Sequence, residues 1–197
     1  MPDPPRSHRI GPVRWTQLEH PPGVPAQALA GHWLARELVL APSALALDRD
    51  ARGRPRLGPG HDVSWSHSGD RLLVALAEGV AVGADLERLR HRPRALELAR
   101  RFFAPGESAW LASLPDPMRD AAFVRLWCAK EAVVKAHGRG IVFGLHRFEV
   151  GERDGRMRLL QADPELGPVP AWTLHEFEPL PGYHAALAWR RPGPAAA

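Results

Sequence analysis

Two lysines and a glutamate lie within six residues of one another: Lys130, Glu131 and Lys135. The segment from Ala121 to His137 contains no Gly or Pro and predicts one helix, which ends at Gly138. The two lysines are the only ones among 26 Lys and Arg residues. Because an ammonium is a compact point charge, two lysines beside one carboxylate indicate phosphate binding or proton transfer. The alternative is a solvated helix with an ordinary ion pair between Glu131 and Lys135.

Two further carboxylates follow one another at a spacing of two residues. Asp85-Leu86-Glu87 ends a predicted strand, and alternation places Asp85 and Glu87 on the same face. Such a pair repels unless a cation lies between its members. Mg²⁺ takes oxygen ligands and usually shares them with substrate phosphates, so Asp85, Glu87 and Glu131 are candidate metal ligands. An exposed strand end is the alternative interpretation of Asp85 and Glu87.

A third group of polar residues could bind an anion. The segment from Ser64 to Gly69 predicts a strand that runs into a polar turn. The Ser66 hydroxyl, the His67 ring and open backbone amides are donors that suit a phosphate. Arg54 in the preceding loop and Arg36 in the first predicted helix would add positive charge. The alternatives are a structural histidine and a solvated basic loop.

The elements that must position these groups form two blocks of helices and strands. The order is helix then strands, followed by helices then strands, which predicts an α+β protein. We expect two similar halves, residues 1–82 and 83–197. Residues 48–60 are expected to be a loop. The predicted helices are 26–40, 94–103, 105–113 and 121–137, and the main strands are 63–66, 72–77, 80–87, 146–150, 157–161, 171–177 and 183–189.

Composition narrows the class of protein. The chain has 197 residues, 45% of them hydrophobic, which permits a real core. Cys128 is the only cysteine, so no intrachain disulfide or cysteine metal cluster is possible. We see no transmembrane run and no secretion signal, and we expect a cytoplasmic protein without a membrane partner. The net charge of +4 and the arginines leave a basic nucleic-acid-binding module as the competing hypothesis, although no recognition motif occurs.

Four short motifs occur in order along the chain. They are Gly53-Arg54-Pro55, Ser66-His67-Ser68, the segment from Val82 to Glu87, and the segment from Trp127 to Ala132 followed by Lys135. Together they resemble the 4′-phosphopantetheinyl transferases of the surfactin-synthetase-activating type, from about residue 26 onwards. Two positions depart from the family pattern. Arg54 stands where the family often has lysine, and Ala84 replaces a larger apolar residue.

The resemblance implies a fold and a reaction. The family is a pseudo-symmetric α+β monomer that binds coenzyme A between its halves. It transfers the phosphopantetheine arm of coenzyme A to a serine of an acyl or peptidyl carrier protein, with Mg²⁺, and releases 3′,5′-ADP. These partners leave no role for nucleic acid.

The resemblance also implies a role for each matched residue. Asp85, Glu87 and Glu131 would hold Mg²⁺, and Glu131 would remove the proton of the carrier serine. Lys130 and Lys135 would contact the diphosphate. The remaining nucleotide contacts fall to residues of the N-terminal half: Ser66 and His67 at the 3′-phosphate, and Gly53, Arg54 and Pro55 at the adenine. Arg36 is a further candidate, which would complete the 3′-phosphate pocket.

Two further expectations concern the carrier and the base. We predict that the carrier docks on an apolar surface near Phe103, Trp110 and Leu111. We also expect Lys130, Lys135 and the bound Mg²⁺ to hold the pKa of Glu131 low.

Overall fold

The computed structural model describes residues 5–191. Four helices are present in this part of the chain: α1 (Ala26–Glu37), α2 (Ala95–Phe102), α3 (Pro105–Ser113) and α4 (Asp116–His137). The strands are β1 (His8–Ile10), β2 (Val13–Glu19), β3 (Asp48–Arg49), β4 (Pro55–Arg56), β5 (His61–Ser68), β6 (Arg71–Glu78), β7 (Ala81–Arg88), β8 (Phe148–Arg153), β9 (Arg156–Ala162), β10 (Trp172–Phe177) and β11 (Tyr183–Arg190).

The first sheet has the order β1-β2-β6-β5, with every neighbouring pair antiparallel. Helix α1 covers one face of this sheet. Its Trp33 and Leu34 pack with Leu72 and Val74 of β6, and all four side chains are almost completely buried. The apolar side of α1 is therefore what holds it to the sheet, as the sequence pattern predicts.

The second sheet has the order β10-β11-β7 and is also antiparallel. Helix α4 lies across it, so closely that a Cβ atom at Gly83 would overlap the carbonyl oxygen of Ala132. Gly83 therefore permits the close approach of strand β7 to helix α4. This approach brings the residues of β7 that face the helix next to those of α4.

The two sheets share a topology. In the first half a strand (β2), a helix and a hairpin (β5, β6) give the order β2-β6-β5. In the second half β7, the helices and the hairpin β10–β11 give the order β7-β11-β10. The prediction of an α+β fold with two similar halves is confirmed. The division at residue 82 stays a prediction; residues 82 and 83 both lie in β7, and residues 1–4 and 192–197 lie outside the described part.

Two local expectations differ from the structure. Helix α4 begins at Asp116, five residues before the predicted start, because Pro117 occupies its first turn, where proline is tolerated. The expected loop at 48–60 contains the short antiparallel pair β3–β4, in which Asp48 pairs with Arg56. Among the described residues, no helix is both long and apolar enough to cross a membrane.

Candidate active site

The two sheets meet where β5 and β7 run side by side, and we call this junction the seam. The strands belong to different sheets, and side chains of β5 join them. Every second residue of β5 faces β7 because strand side chains alternate. The amide hydrogen bonds across the seam are from Val82 to Asp62 (2.7 Å), from Ala84 to Ser64 (3.0 Å) and from Arg88 to Ser68 (3.1 Å).

Asp85 lies on the face of β7 that is turned toward α4, and it is 4% exposed. Its Oδ1 accepts hydrogen bonds from the Lys135 ammonium at 2.6 Å and from the Ser66 hydroxyl at 2.7 Å. Its Oδ2 is buried without a partner. One oxygen of this carboxylate thus accepts two hydrogen bonds, and the other is buried without a hydrogen-bond partner.

Glu87 lies two residues further along the same face of β7. Its Oε2 accepts hydrogen bonds from Arg92 at 2.6 Å and from the Ser68 hydroxyl at 3.1 Å. The side chain is about one fifth exposed, so Glu87 stands nearer to solvent than Asp85. Each carboxylate of β7 is held by one serine and one cation.

Glu131 faces these two carboxylates from α4. Burial raises its pKa, the charges of Asp85 and Glu87 raise it further, and Lys135 lowers it; the result is a pKa of about 7. Its Oε1 is buried and has no partner. Without a metal the pKa is raised because burial and the two neighbouring carboxylates outweigh Lys135; the expectation of a low pKa, which includes the charge of Mg²⁺, stays a prediction.

Lys135 is the ammonium that belongs to this site. Burial lowers its pKa, but Asp85 outweighs that effect through charge and a hydrogen bond, with help from Glu131, and the pKa is raised. The Lys135 Nζ also donates to the carbonyl of Ala84 at 3.1 Å. A permanently charged ammonium therefore lies among the carboxylates, where it can also meet an anion.

The donor set suits a divalent cation. Two buried carboxylate oxygens without partners, Asp85 Oδ2 and Glu131 Oε1, are hard ligands of the kind that Mg²⁺ prefers. Within residues 5–191 no three His, Cys, Asp or Glu side chains are already gathered closely enough to hold a metal. Mg²⁺ normally completes its octahedron with waters and substrate phosphates, so two or three protein oxygens fit its needs.

Lys130 does not join this site. Its Nζ has no exposed surface, lies 2.5 Å from Glu107 and donates to the carbonyl of Phe148 at 2.7 Å. Glu107 in turn accepts from the amide of Val150 at 2.7 Å. The predicted contact of Lys130 with a diphosphate does not agree with this placement, because residues 130 and 131 leave the helix on different sides.

A basic cleft of about 250 Å³ opens beside the seam. Gly53, Arg54 and Pro55 all line it; their contact with the adenine, which the resemblance implies, stays a prediction. Arg54, however, is already engaged: its guanidinium donates to Asp62 at 2.5 Å and to the carbonyls of Lys135 (3.0 Å) and Val82 (3.1 Å). The lining includes Gly53, Arg54, Pro55, Trp65, Lys135 and Arg139.

The structure separates Ser66 from His67, which the sequence analysis placed together at one phosphate. They point to opposite faces of β5: Ser66 bonds to Asp85, whereas the exposed His67 ring lies 4.7 Å from that of His20. Arg36 is away from the cleft, where it donates to the carbonyl of Pro5 at 2.6 Å. Arg36 therefore does not complete a pocket with Arg54.

The predicted carrier surface is also corrected. Phe103 and Leu111 are 4% and 0% exposed and belong to the core around α4. These two side chains cannot form an apolar docking surface, whereas Trp110 is only partly buried, so docking near Trp110 stays a prediction.

Sequence reasoning missed several residues that shape the site. The roles of Ser64 and Ser68 at the seam were not foreseen, nor was the partner that Arg92 provides for Glu87. A signal was present: Asp62, Ser64, Ser66 and Ser68 form a polar row at a period of two within one strand, and such a row indicates a face that meets polar groups.

Comparison with known proteins agrees with this geometry. Residues 81–188, which include β7 and α4, match the family model of the 4′-phosphopantetheinyl transferase superfamily. The chain belongs to this superfamily. The matched region holds all three candidate metal ligands and Lys135, and it identifies the chain as a transferase of this type. The predicted resemblance is confirmed.

Individual members of the superfamily are similar over most of the chain. The 4′-phosphopantetheinyl transferase HetI of Nostoc is 35% identical over 170 residues, which cover 81% of this chain and 68% of HetI. The 4′-phosphopantetheinyl transferase psf-1 of Bacillus pumilus is 32% identical over 177 residues, or 86% of this chain and 73% of psf-1. The protein slr0495 of Synechocystis is 35% identical over 169 residues, which cover 79% of this chain and 66% of slr0495.

The chain thus spans about two thirds to three quarters of the lengths of these relatives. The competing hypothesis of a nucleic-acid-binding module finds no support among the matches reported.

Proposed function

We propose that this chain transfers the 4′-phosphopantetheine arm of coenzyme A to a serine of an acyl or peptidyl carrier protein. Holo-carrier and 3′,5′-ADP are the products. The observation that carries the proposal is the pair of buried, unpartnered oxygens on Asp85 and Glu131, beside the Lys135 ammonium and next to a basic cleft. In this proposal the chain acts as a cytoplasmic monomer.

The proposed reaction is a displacement at phosphorus. The serine oxygen of the carrier attacks the phosphate that bears the pantetheine arm, and the bond from that phosphorus to the bridging oxygen breaks. The bridging oxygen leaves with 3′,5′-ADP. The serine proton goes to the carboxylate of Glu131. A serine hydroxyl needs such a base, and Glu131 has a buried Oε1 without a hydrogen-bond partner that could take the proton.

The remaining residues bind and orient the diphosphate. Asp85, Glu87 and Glu131 would hold Mg²⁺, which supplies positive charge to the diphosphate as its leaving group forms. The Lys135 ammonium adds charge on the same side and is fixed by Asp85 and the Ala84 carbonyl. The basic lining of the cleft would receive the nucleotide end of coenzyme A, in line with the side-chain charges that phosphoryl-type displacement requires.

The direct test weighs a carrier protein before and after incubation. The chain, coenzyme A and Mg²⁺ are incubated with an apo-carrier, and the mass of the carrier should rise by one phosphopantetheine group. Replacing the carrier serine by alanine should abolish the rise. An unchanged mass for apo-carriers of fatty-acid, polyketide and nonribosomal peptide synthesis would refute the proposed transfer.

Glu131→Gln tests the proposed base. The amide keeps the shape and one oxygen but cannot take the proton, so transfer should fall by about 10² or more while coenzyme A still binds. If Glu131 is only a Mg²⁺ ligand and water carries the proton, the affinity for coenzyme A with Mg²⁺ should fall together with the rate. Calorimetry on the folded variant separates the two outcomes, and near-normal transfer would exclude both.

A further inference from the structure

The four polar side chains of β5 that face β7 differ in their hydrogen-bond partners. Asp62, Ser64 and Ser68 each accept a hydrogen bond from the amide twenty positions further along the chain. By this rule Ser66 would meet the amide of Leu86. Its hydroxyl instead donates to Asp85 Oδ1 at 2.7 Å. Ser66 is therefore the member of the row that is committed to a carboxylate.

Ser68 does both. It accepts from the Arg88 amide and donates to Glu87 Oε2 at 3.1 Å. In each carboxylate of β7 the serine bonds to the same oxygen as a cation: Lys135 joins Ser66 on Asp85, and Arg92 joins Ser68 on Glu87. For Asp85 the consequence is visible, because its second oxygen is buried and without a partner.

We propose that Ser66 and Ser68 are positioning residues, which turn Asp85 and Glu87 so that one oxygen of each is tied to the seam and the other is presented to a divalent cation. The inference rests on the proposed function for the identity of that cation. A hydroxyl donor fixes a carboxylate about its last side-chain torsion, which is otherwise broad. Partners of this kind behind a metal ligand typically change metal affinity by 10–100-fold when they are removed.

Ser64 provides a matched control on the same strand. It has the same side chain, faces the same seam and loses one hydrogen bond when changed to alanine, but its partner is the Ala84 amide and not a carboxylate. Ser64→Ala should weaken the seam without turning a metal ligand. Ser66→Thr keeps the hydroxyl and suits a strand, so it should rescue what Ser66→Ala loses.

The experiment measures metal affinity directly, with Mn²⁺ as the probe and without coenzyme A, because Ser64 lines the basic cleft that would receive it. Electron paramagnetic resonance of free Mn²⁺ gives the dissociation constant for each folded variant, and thermal unfolding checks that the variants fold. We expect Ser66→Ala to raise the constant about tenfold or more, Ser68→Ala to raise it less because Glu87 is more exposed, and Ser66→Thr and Ser64→Ala to stay near the wild type.

Equal losses in Ser64→Ala and Ser66→Ala, or no loss in either, would overturn the positioning role. The carrier assay is run in parallel on the wild type. Transfer activity together with unchanged Mn²⁺ affinity in Ser66→Ala would refute this inference and leave the proposed function intact. Loss of Mn²⁺ affinity that follows only Ser66 and Ser68, in a chain that modifies no carrier, would support the inference and refute the function.

Discussion

Lys130 and Glu107 form an ion pair in which neither side chain reaches solvent, with the ammonium 2.5 Å from the carboxylate. Burial raises the pKa of Glu107, and burial lowers that of Lys130 to about 8. Both shifts favour the neutral form, because burying a charge away from water is unfavourable. The attraction between the two charges offsets part of this unfavourable free energy. The pair lies in the core of the second half, so we expect its removal to change the free energy of unfolding.

Lys130→Met should therefore destabilise the protein by about 3–5 kcal/mol, because it leaves the Glu107 carboxylate buried and unpaired. The double variant Lys130→Met, Glu107→Gln should recover part of that loss, because it removes the unpaired charge. Recovery should be incomplete, because the amides of Ala104 and Val150 donate to different oxygens of Glu107, and glutamine keeps only one acceptor oxygen. Denaturant unfolding of the four proteins measures the coupling.

The same variants bear on the original assignment of Lys130 to the diphosphate. Because the Lys130 ammonium is buried against Glu107, the folded double variant should bind coenzyme A with unchanged affinity. A large loss of affinity without a loss of stability would show that Lys130 reaches the ligand after all.

Asp85→Ala and Glu87→Ala should each reduce carrier modification severely. Asp85→Ala should have the larger effect, because it removes a proposed metal ligand and also frees Lys135 from its partner. Raising the Mg²⁺ concentration should partly restore Glu87→Ala. Initial rates over a Mg²⁺ titration give the comparison, and unchanged rates and Mg²⁺ dependence in both variants would remove these residues from the site.

His67 stays a predicted contact of the adenosine 3′-phosphate, and its exposed ring is free to make one. His67→Ala should then weaken coenzyme A by about one to two decades and dephospho-coenzyme A much less, since a charge-assisted hydrogen bond contributes about 1.5–3 kcal/mol. Arg54→Lys is the contrasting variant. It should lower stability and affect both ligands alike, because the guanidinium is tied to Asp62 and to two carbonyls. Calorimetry with both ligands decides.

Glu176 should make the stability depend on pH in acid. Burial alone would raise its pKa, but the His184 ring nitrogen at 3.2 Å and hydrogen bonds from Arg125 and the Met157 amide outweigh this and lower it from 4.5 to about 2. An acid with a depressed folded pKa stabilises the fold above its unfolded pKa, and that stability is lost as the pH falls from about 4.5 through 2. After allowance for solvent screening we expect about 2 kcal/mol.

Urea unfolding of the wild type and Glu176→Gln measures this. The difference in unfolding free energy should be largest near neutral pH and should shrink toward pH 2, the folded pKa. Glu152→Gln is the control, because Glu152 also bonds to Arg125 but is more exposed. A difference that is constant with pH would contradict the predicted linkage.

Much of the fold was readable because the signals are local. Strand β6 is an apolar run between two turns, and α4 has helix formers up to a glycine that adopts a positive φ of 88°. The turn at Gly69 and the proline that opens α3 were readable for the same reason. The start of α4 was missed, because its first turn contains a proline and is polar.

The sequence predicted which residues form the site better than it predicted which residues they contact. Asp85 and Glu87 were assigned to one face by alternation alone, and Glu131 and Lys135 by helical spacing. What the sequence did not show is which long-range group each side chain meets. Lys130 pairs with Glu107, 23 positions away, and Arg54 with the carbonyl of Lys135, 81 positions away. Local periodicity carries no information about such contacts, which depend on how two elements cross.

Hydrogen exchange of backbone amides in β7 should report on the separation of the two sheets at the seam. The amides of Val82, Ala84 and Arg88 each donate to a single side chain of β5. On its opposite edge, β7 forms a continuous backbone hydrogen-bond ladder with β11. Exchange at these alternate amides therefore requires only that two sheets part, without unfolding of either. When they part, both strands show unpaired edges to solvent, and such edges invite pairing with other chains. Substitutions that weaken the row of polar residues on β5 should thus appear as faster exchange at every second amide of β7 and as a tendency to aggregate, well before the melting temperature changes.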